Sequence, residues 1–183
     1  MIRDSYVVKG GIGVKKIAQF YKVSLETFTA AIQKDFPQYN LDEILELYNT
    51  IQLPRRATQG SAGYDFYAPF SFALLPGRTI KIPTGIRAWM EDGWVLKLYP
   101  RSGLGFKYRL QMDNTVGIID SDYYYSDNEG HIFIKMTNET REDKTVEIQQ
   151  GIGFAQGIFL EYGITLDDCT DGIRNGGLGS TTR

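Results

Sequence analysis

The stretch GIIDSDYYYSDNEG, residues 117–130, sets Asp120, Asp122, Asp127 and Glu129 among Tyr123, Tyr124 and Tyr125, directly after an apolar run. A carboxylate at the end of a strand can orient a water and take its proton. Asp120, which closes the run VGII, holds that position. Asp122 reads as a residue bonding within the turn, and Asp127, Asn128 and Glu129 with Gly130 read as an exposed turn. Tyr123 follows at a spacing that can form an aromatic wall for a sugar.

Four other stretches carry chemistry-bearing residue types. SAGYDFYA, residues 61–68, places Asp65 between two aromatics, where it either bonds locally at a strand end or holds a metal-bound water. YPRSGLGFK, residues 99–107, ends a strand at Pro100 and turns through Arg101, Ser102 and Gly103. Planar guanidinium donors, a hydroxyl and a close backbone approach make such a loop-to-helix turn suited to anions. GIGFAQGIF, residues 151–159, interrupts an apolar strand with Gln156; a buried amide must be hydrogen-bonded, to backbone or to ligand. DGIRNGGLGSTTR, residues 171–183, is either a frayed polar tail or a segment that closes over phosphates.

Composition narrows the chemistry. The chain has 183 residues, 42% hydrophobic, with a net charge of −2. That suits one compact domain with no overall basic bias toward nucleic acid. No apolar run approaches the ~18 residues of a membrane span, and MIRDSYVVKGG has no signal-peptide pattern. A lone cysteine, Cys169, favours a reducing, cytoplasmic setting. With a lone histidine, His131, a Cys/His zinc site within the chain is disfavoured. His131 sits in the alternating stretch HIFIKM, which reads as a strand. Carboxylates, Arg, Lys and backbone amides remain, a set suited to Mg2+-dependent chemistry on phosphates.

The elements that must position these groups fall into two textures. Residues 14–33 read as two short helices joined around Lys22, Val23 and Ser24. Val14, Ile17, Ala18, Phe20 and Tyr21 form the first stripe, and Leu25, Phe28, Thr29 and Ile32 the second. Ser24 is placed to cap the second helix, and Pro37 to stop it. Residues 1–40 carry six Lys or Arg against three acids. This weak basic bias permits DNA or protein binding by residues 10–47 without indicating it, and a helical packing appendage is the favoured reading. After about residue 43 the texture becomes β, with strands expected at EILELY, FSFALL, TIKIPTGIRAWM, WVLKLY, VGIID, HIFIKMTN, KTVEIQ and GFAQGIFLEYGIT. Short strands separated by turns such as LPGR and EDGW predict an all-β sandwich or jelly-roll barrel.

Each motif alone is weak; their order is not. AGYDFYA, PRSGLG, NTVGIIDSDYY, GFAQGIF and RNGGLGSTT, in that order, resemble the five motifs of the trimeric dUTP pyrophosphatases, and LPRRATQGSAGYD resembles that family's entry into its first motif. The resemblance covers residues 51–183. It implies a jelly roll of the dUTPase type, hydrolysis of dUTP to dUMP and pyrophosphate, Mg2+ as cofactor, and a homotrimer with shared active sites. Asp120 matches the family's catalytic aspartate, and Tyr123 the residue that packs on deoxyribose and excludes a 2′-OH. Asn114 and the backbone to Gly117 match the part that reads uracil. Arg101, Ser102 and Gly103 would hold phosphates with Gln156 nearby, and Asp65 would hold Mg2+ through a water. Arg174, Gly177, Leu178, Gly179, Ser180 and Thr181 belong to the closing arm.

Three departures stand out. Leu178 replaces a Phe that stacks on the base, Thr182 replaces a glycine, and a segment over residues 10–47 is additional. The expected division is a helical appendage or insertion over 1–47, with the family's first strand either at 5–10 or at EILELY, a β core over 48–170, and a flexible glycine-rich arm over 171–183. The alternatives are a nucleotide-gated regulatory or protein-binding module on the same fold, and a dCTP deaminase, for which Glu129 is the nearby glutamate.

Overall fold

The structure, a computed structural model, describes residues 13–172. The chain opens with β1 (Ala18–Lys22), α1 (Leu25–Asp35) and α2 (Leu41–Thr50). It continues through β2 (Arg55–Arg56), β3 (Tyr64–Tyr67), β4 (Phe72–Leu74), β5 (Thr79–Pro83), β6 (Ile86–Met90) and β7 (Trp94–Pro100). The short helix α3 (Ser102–Tyr108) leads into β8 (Leu110–Met112) and β9 (Gly117–Ile119). A 3-10 turn at Ser121–Tyr125 precedes β10 (Phe133–Asn138), β11 (Val146–Ile148) and β12 (Gly153–Glu161).

The fold is the expected jelly-roll class, built of small antiparallel sheets. The largest has the order β2-β3-β12-β7-β9; the others are β5-β10-β8, β4-β11 and β1-β6. β10 alternates buried and less buried positions, whereas β7 and β12 bury adjacent residues on both faces. Val95, Leu96 and Leu98 of β7, Ile134 and Met136 of β10, and Phe154 and Ala155 of β12 are all buried.

Two expected elements are corrected. Residues 18–22 form a strand rather than a helix, paired antiparallel with β6 from Ala18↔Met90 to Lys22↔Ile86. AQFYK satisfies both periods: Phe20 points inward while Gln19 and Tyr21 point out. The edge of β6 decides between them, and Phe20 stacks in a cluster with Tyr64 (5.3 Å), Phe66 (5.7 Å) and Phe159 (5.6 Å). EILELY lies in helix α2 rather than a strand. Asn40 Oδ1 accepts from the Glu43 N–H at 3.0 Å, and Glu43 Oε2 accepts from the Asn40 N–H at 2.8 Å, a reciprocal cap that starts the helix. Ile44 and Leu47 then face inward at helical spacing while Leu45 is exposed. The N-x-x-E signature at 40–43 was the signal for it.

The second helix of the sequence reading holds as α1. Ser24 caps it, its Oγ accepting from the Thr27 N–H at 3.1 Å, and Phe28 and Ile32 are fully buried. Phe20, Phe28, Ile32, Ile44 and Leu47 share one continuous core with Ile82, Leu96, Ile134 and Phe154. The described part of the 1–47 segment is thus built into the β core. Residues 5–10 and 173–183 lie outside the described residues.

Candidate active site

The five-stranded sheet lines up three of the sequence motifs. In its register Asp65 on β3 stands opposite Gln156 on β12, and Gln156 stands opposite Tyr99 on β7. Arg101 follows β7 and reaches back across this row. Its Nε lies 3.3 Å from Asp65 Oδ1, and its Nη1 donates to the Gly153 carbonyl at 3.1 Å. Gln156 Nε2 donates to the Pro100 carbonyl at 3.2 Å. The buried-amide question is therefore answered by backbone for its nitrogen. Two glycines make room: a Cβ at Gly153 would stand 2.8 Å from Arg101 Nη1, and one at Gly63 2.9 Å from Gln156 Oε1.

Beside this row lies a cavity of about 560 Å³ lined by Tyr99, Arg101, Ser102, Phe106, Gln156 and Ile158 among others. Helix α3 begins at its wall, where the Arg101 carbonyl accepts from the Leu104 and Gly105 N–H groups, each at 3.0 Å. A side chain at Gly103 would meet only open space, so packing within the chain does not require that glycine. Tyr99 and Phe106 stood inside a quoted motif, yet sequence reasoning assigned them no part. Phe106 is 92% exposed, a large apolar ring left at the cavity's lip.

The remaining candidates sit elsewhere. Gly117 opens β9 opposite Leu98, where a Cβ would stand 3.0 Å from Leu98 Cβ. Asn114 is exposed in the turn between β8 and β9, whose tip is set by Thr115 at φ 65°. Asp113 anchors that turn through Lys135 (2.8 Å) and Thr137 Oγ1 (2.6 Å). Burial alone would raise its pKa, but these partners outweigh it and hold the carboxyl below its ordinary value. Asp120 is half-buried just past β9, at the position that precedes the 3-10 turn. Tyr123 is buried; its Oη donates to the His131 carbonyl at 2.7 Å and accepts from Asn128 Nδ2 at 2.9 Å.

One chain does not bring the two groups together. The register Leu96↔Ile119 sets Asp120 beside Val95. From Val95 to Arg101 an extended strand advances about 3.3 Å per residue, a separation of roughly 20 Å.

His131 is a core residue. It is fully buried, its Nε2 accepting from the Gly85 N–H at 2.9 Å. Burial lowers its pKa from 6.5 to about 4, and the charge of Glu129 offsets this only in part. Unfolded chains therefore take up a proton between these values that the folded chain refuses. Stability is full above pH 6.5 and falls on acidification toward pH 4, by at most about 1.4 kcal/mol per pH unit from this residue. Urea unfolding at stepped pH should show that slope, and His131→Gln should flatten it.

The turn at Asp127–Gly130 also needs correcting. Glu129 is not a solvated surface acid: it is bound by Ser24, Thr27 and Arg87. That engagement ties it to the capping residue of α1 and disfavours it as a deaminase's acid/base.

A dUTPase family model matches residues 49–181. The chain belongs to the dUTPase family. Among curated dUTPase relatives, the deoxyuridine 5′-triphosphate nucleotidohydrolase of Lactococcus lactis is 42% identical over 134 residues, covering 72% of this chain and 88% of that protein. That of Hahella chejuensis is 39% identical over 143 residues, covering 74% and 90%. The crystal structure of the dUTPase from Streptococcus mutans superposes with a TM-score of 0.55 at 40% identity, covering 62% of this chain and 88% of that one. The family expected from the motifs is thus confirmed, as is the dUTPase-type fold. Strand β1, helix α1 and nearly all of α2 precede the matched span.

Proposed function

We propose that this chain hydrolyses dUTP to dUMP and pyrophosphate, keeping uracil out of DNA and supplying dUMP. Asp120 orients the water that attacks the α-phosphorus and takes its proton. Arg101, Ser102 and Gly103 hold phosphate oxygens, with Gln156 beside them. Asn114 to Gly117 read the uracil edge, and Tyr123 packs against the deoxyribose where a 2′-OH would not fit. Its hydroxyl is engaged on both sides, which holds the ring in one orientation. The observation that carries the reading is that Arg101 and Gln156 line one cavity, with Asp65 paired to Arg101 and opposite Gln156 behind them, in a chain of this family.

The roughly 20 Å between Asp120 and Arg101 along β7 supports a homotrimer in which one subunit's Asp120 serves a nucleotide held by another's Arg101. A light-scattering mass near three times 20.7 kDa is the corresponding measurement. Among the described residues no three His, Cys, Asp or Glu side chains gather as a metal cage. That donor chemistry fits Mg2+ carried by the triphosphate, with Asp65 accepting from a metal-bound water. Bound there, the ion would neutralise phosphate charge. The lone, exposed Cys169 accords with a reducing, cytoplasmic setting, and no described helix is long and apolar enough to cross a membrane.

Pyrophosphate release across dUTP, UTP, dTTP and dCTP, with and without Mg2+, tests the reading. Turnover confined to dUTP is expected. Ammonia from dCTP without pyrophosphate, or no dUTP turnover with Mg2+ present, would overturn it. The arm residues Arg174, Gly177, Leu178, Gly179, Ser180 and Thr181 lie outside the described residues, and their proposed role is closure over bound nucleotide. Leu178 lacks the π face that makes stacking worth ~1–3 kcal/mol, so Leu178→Phe should lower the KM for dUTP several-fold.

A further inference from the structure

We propose that Glu129, gripped by the N-terminus of helix α1, positions the segment that carries Asp120 and Tyr123, so that the chain's N-terminal addition sets substrate discrimination; this rests on the site reading above. Glu129 Oε1 accepts from Ser24 Oγ at 2.5 Å and from Thr27 Oγ1 at 2.6 Å, and Oε2 accepts from the Ser24 N–H at 2.8 Å. A carboxylate at a helix N-terminus is also favoured by the helix dipole. Burial would raise the Glu129 pKa, but the bonds from Ser24 and Thr27 and the Arg87 charge outweigh it and hold the group ionised below the usual glutamate range.

The grip is transmitted to the site segment by tight backbone contact. Glu129 has φ 59°, a left-handed conformation costly for a residue with a side chain, and it is held there by three hydrogen bonds. Gly130 follows at φ 68°, and a Cβ on it would stand 2.7 Å from the Tyr123 carbonyl oxygen and 2.8 Å from Tyr124 Cα. The 129–130 turn therefore lies directly on the backbone of residues 123–124. Arg87 closes the circuit. Its Nη1 is 3.7 Å from Glu129 Oε2, its Nη2 donates to the Tyr124 carbonyl at 2.6 Å, and its guanidinium lies 3.7 Å from the Tyr124 ring centre. Tyr123 is thus fixed at its hydroxyl by Asn128 and the His131 carbonyl, and at its backbone by the turn that Glu129 holds. Ser24 and Thr27 precede the family-matched span, whereas Glu129, Arg87 and Tyr123 lie within it. The clamp is where the segment ahead of the family-matched span reaches residues within it.

A shift of the Tyr123 ring alters the space that a 2′-OH would need, so the sensitive readout is the ratio of kcat/KM for dUTP to that for UTP. Loss of folded protein lowers both rates alike and leaves this ratio unchanged. Glu129→Gln and the pair Ser24→Ala with Thr27→Val are expected to lower the ratio by about tenfold, the scale of a small positioning error, with less change in kcat for dUTP. Thr27→Val alone removes one bond and keeps the test readable where Glu129→Gln does not fold. If these variants keep the wild-type ratio while Asp120→Asn is inactive, the clamp is overturned and the site reading stands. If Asp120→Asn turns over dUTP normally, the site reading fails and the clamp fails with it.

Discussion

Asp120→Asn should lower kcat for dUTP by a factor on the order of 10³, within the range that a positioned general base contributes, while an imido analogue of dUTP binds with little change. The amide keeps the shape of the side chain and its ability to accept one hydrogen bond, but it cannot take a proton from water. The phosphate contacts assigned to Arg101, Ser102 and Gly103 come from other side chains, roughly 20 Å away along β7 within one chain, and the substitution removes none of them. Pyrophosphate release and calorimetric binding measure the two halves separately. The same distance makes a second measurement decisive for shared sites. Arg101→Ala should lose phosphate binding, since it removes the guanidinium and also leaves Asp65 without its 3.3 Å partner. Refolding the two inactive variants together should restore activity, because some interfaces then pair an intact Arg101 with an intact Asp120. Random pairing gives about a quarter of the sites that arrangement. No recovery on mixing would place both groups at the same site within one chain, against the register of β7 and β9.

The second large effect is on stability. Phe28→Ala should cost about 3–5 kcal/mol, the usual penalty for emptying a fully packed aromatic site. Phe28 has no exposed surface. Its ring packs near Tyr48 and His131, with centroids at 5.9 and 6.4 Å. It also covers Gly85, at φ 71°, where even a Cβ would stand 3.3 Å from Phe28 Cδ2 and 2.3 Å from Ile51 Cδ1. Helix α1 is therefore a wall of the β core, and denaturant unfolding should move as a single transition to a lower midpoint. An unchanged main transition would mean that the helix is a detachable appendage.

The candidate motifs, and through them the family, were legible because they depend on residue type at short spacing. Arg101-Ser102-Gly103, the lone Asp65 and Asp120 at the end of VGII each announce themselves within a few residues, and their order announces the family. Most strands were legible for a similar reason, since a buried face imposes alternation on Ile, Val and Phe. Helix α1 was legible from Phe28 and Ile32 with a capping serine. The strand at Ala18–Lys22 was not, because five residues with Phe20 inward fit either period until β6 offers its edge. Helix α2 was misread for the opposite reason: the apolar run in EILELY outweighed the capping box from Asn40 to Glu43, which closes on its first residue.

Glu129 shows the limit most plainly. In DNEG it has the composition of a solvated turn, and no local pattern ties it to Ser24 and Thr27, some hundred residues away. The sequence by itself determined the family, the β architecture and which residues are candidates to meet a nucleotide. Only the tertiary structure decided that Asp65, Arg101 and Gln156 converge, that Asp120 stands apart from them, and that the start of helix α1 grips the turn behind Tyr123. These are contacts between residues far apart in the chain, set by strand register and packing, and a hydrogen bond across that distance leaves no periodicity in the sequence.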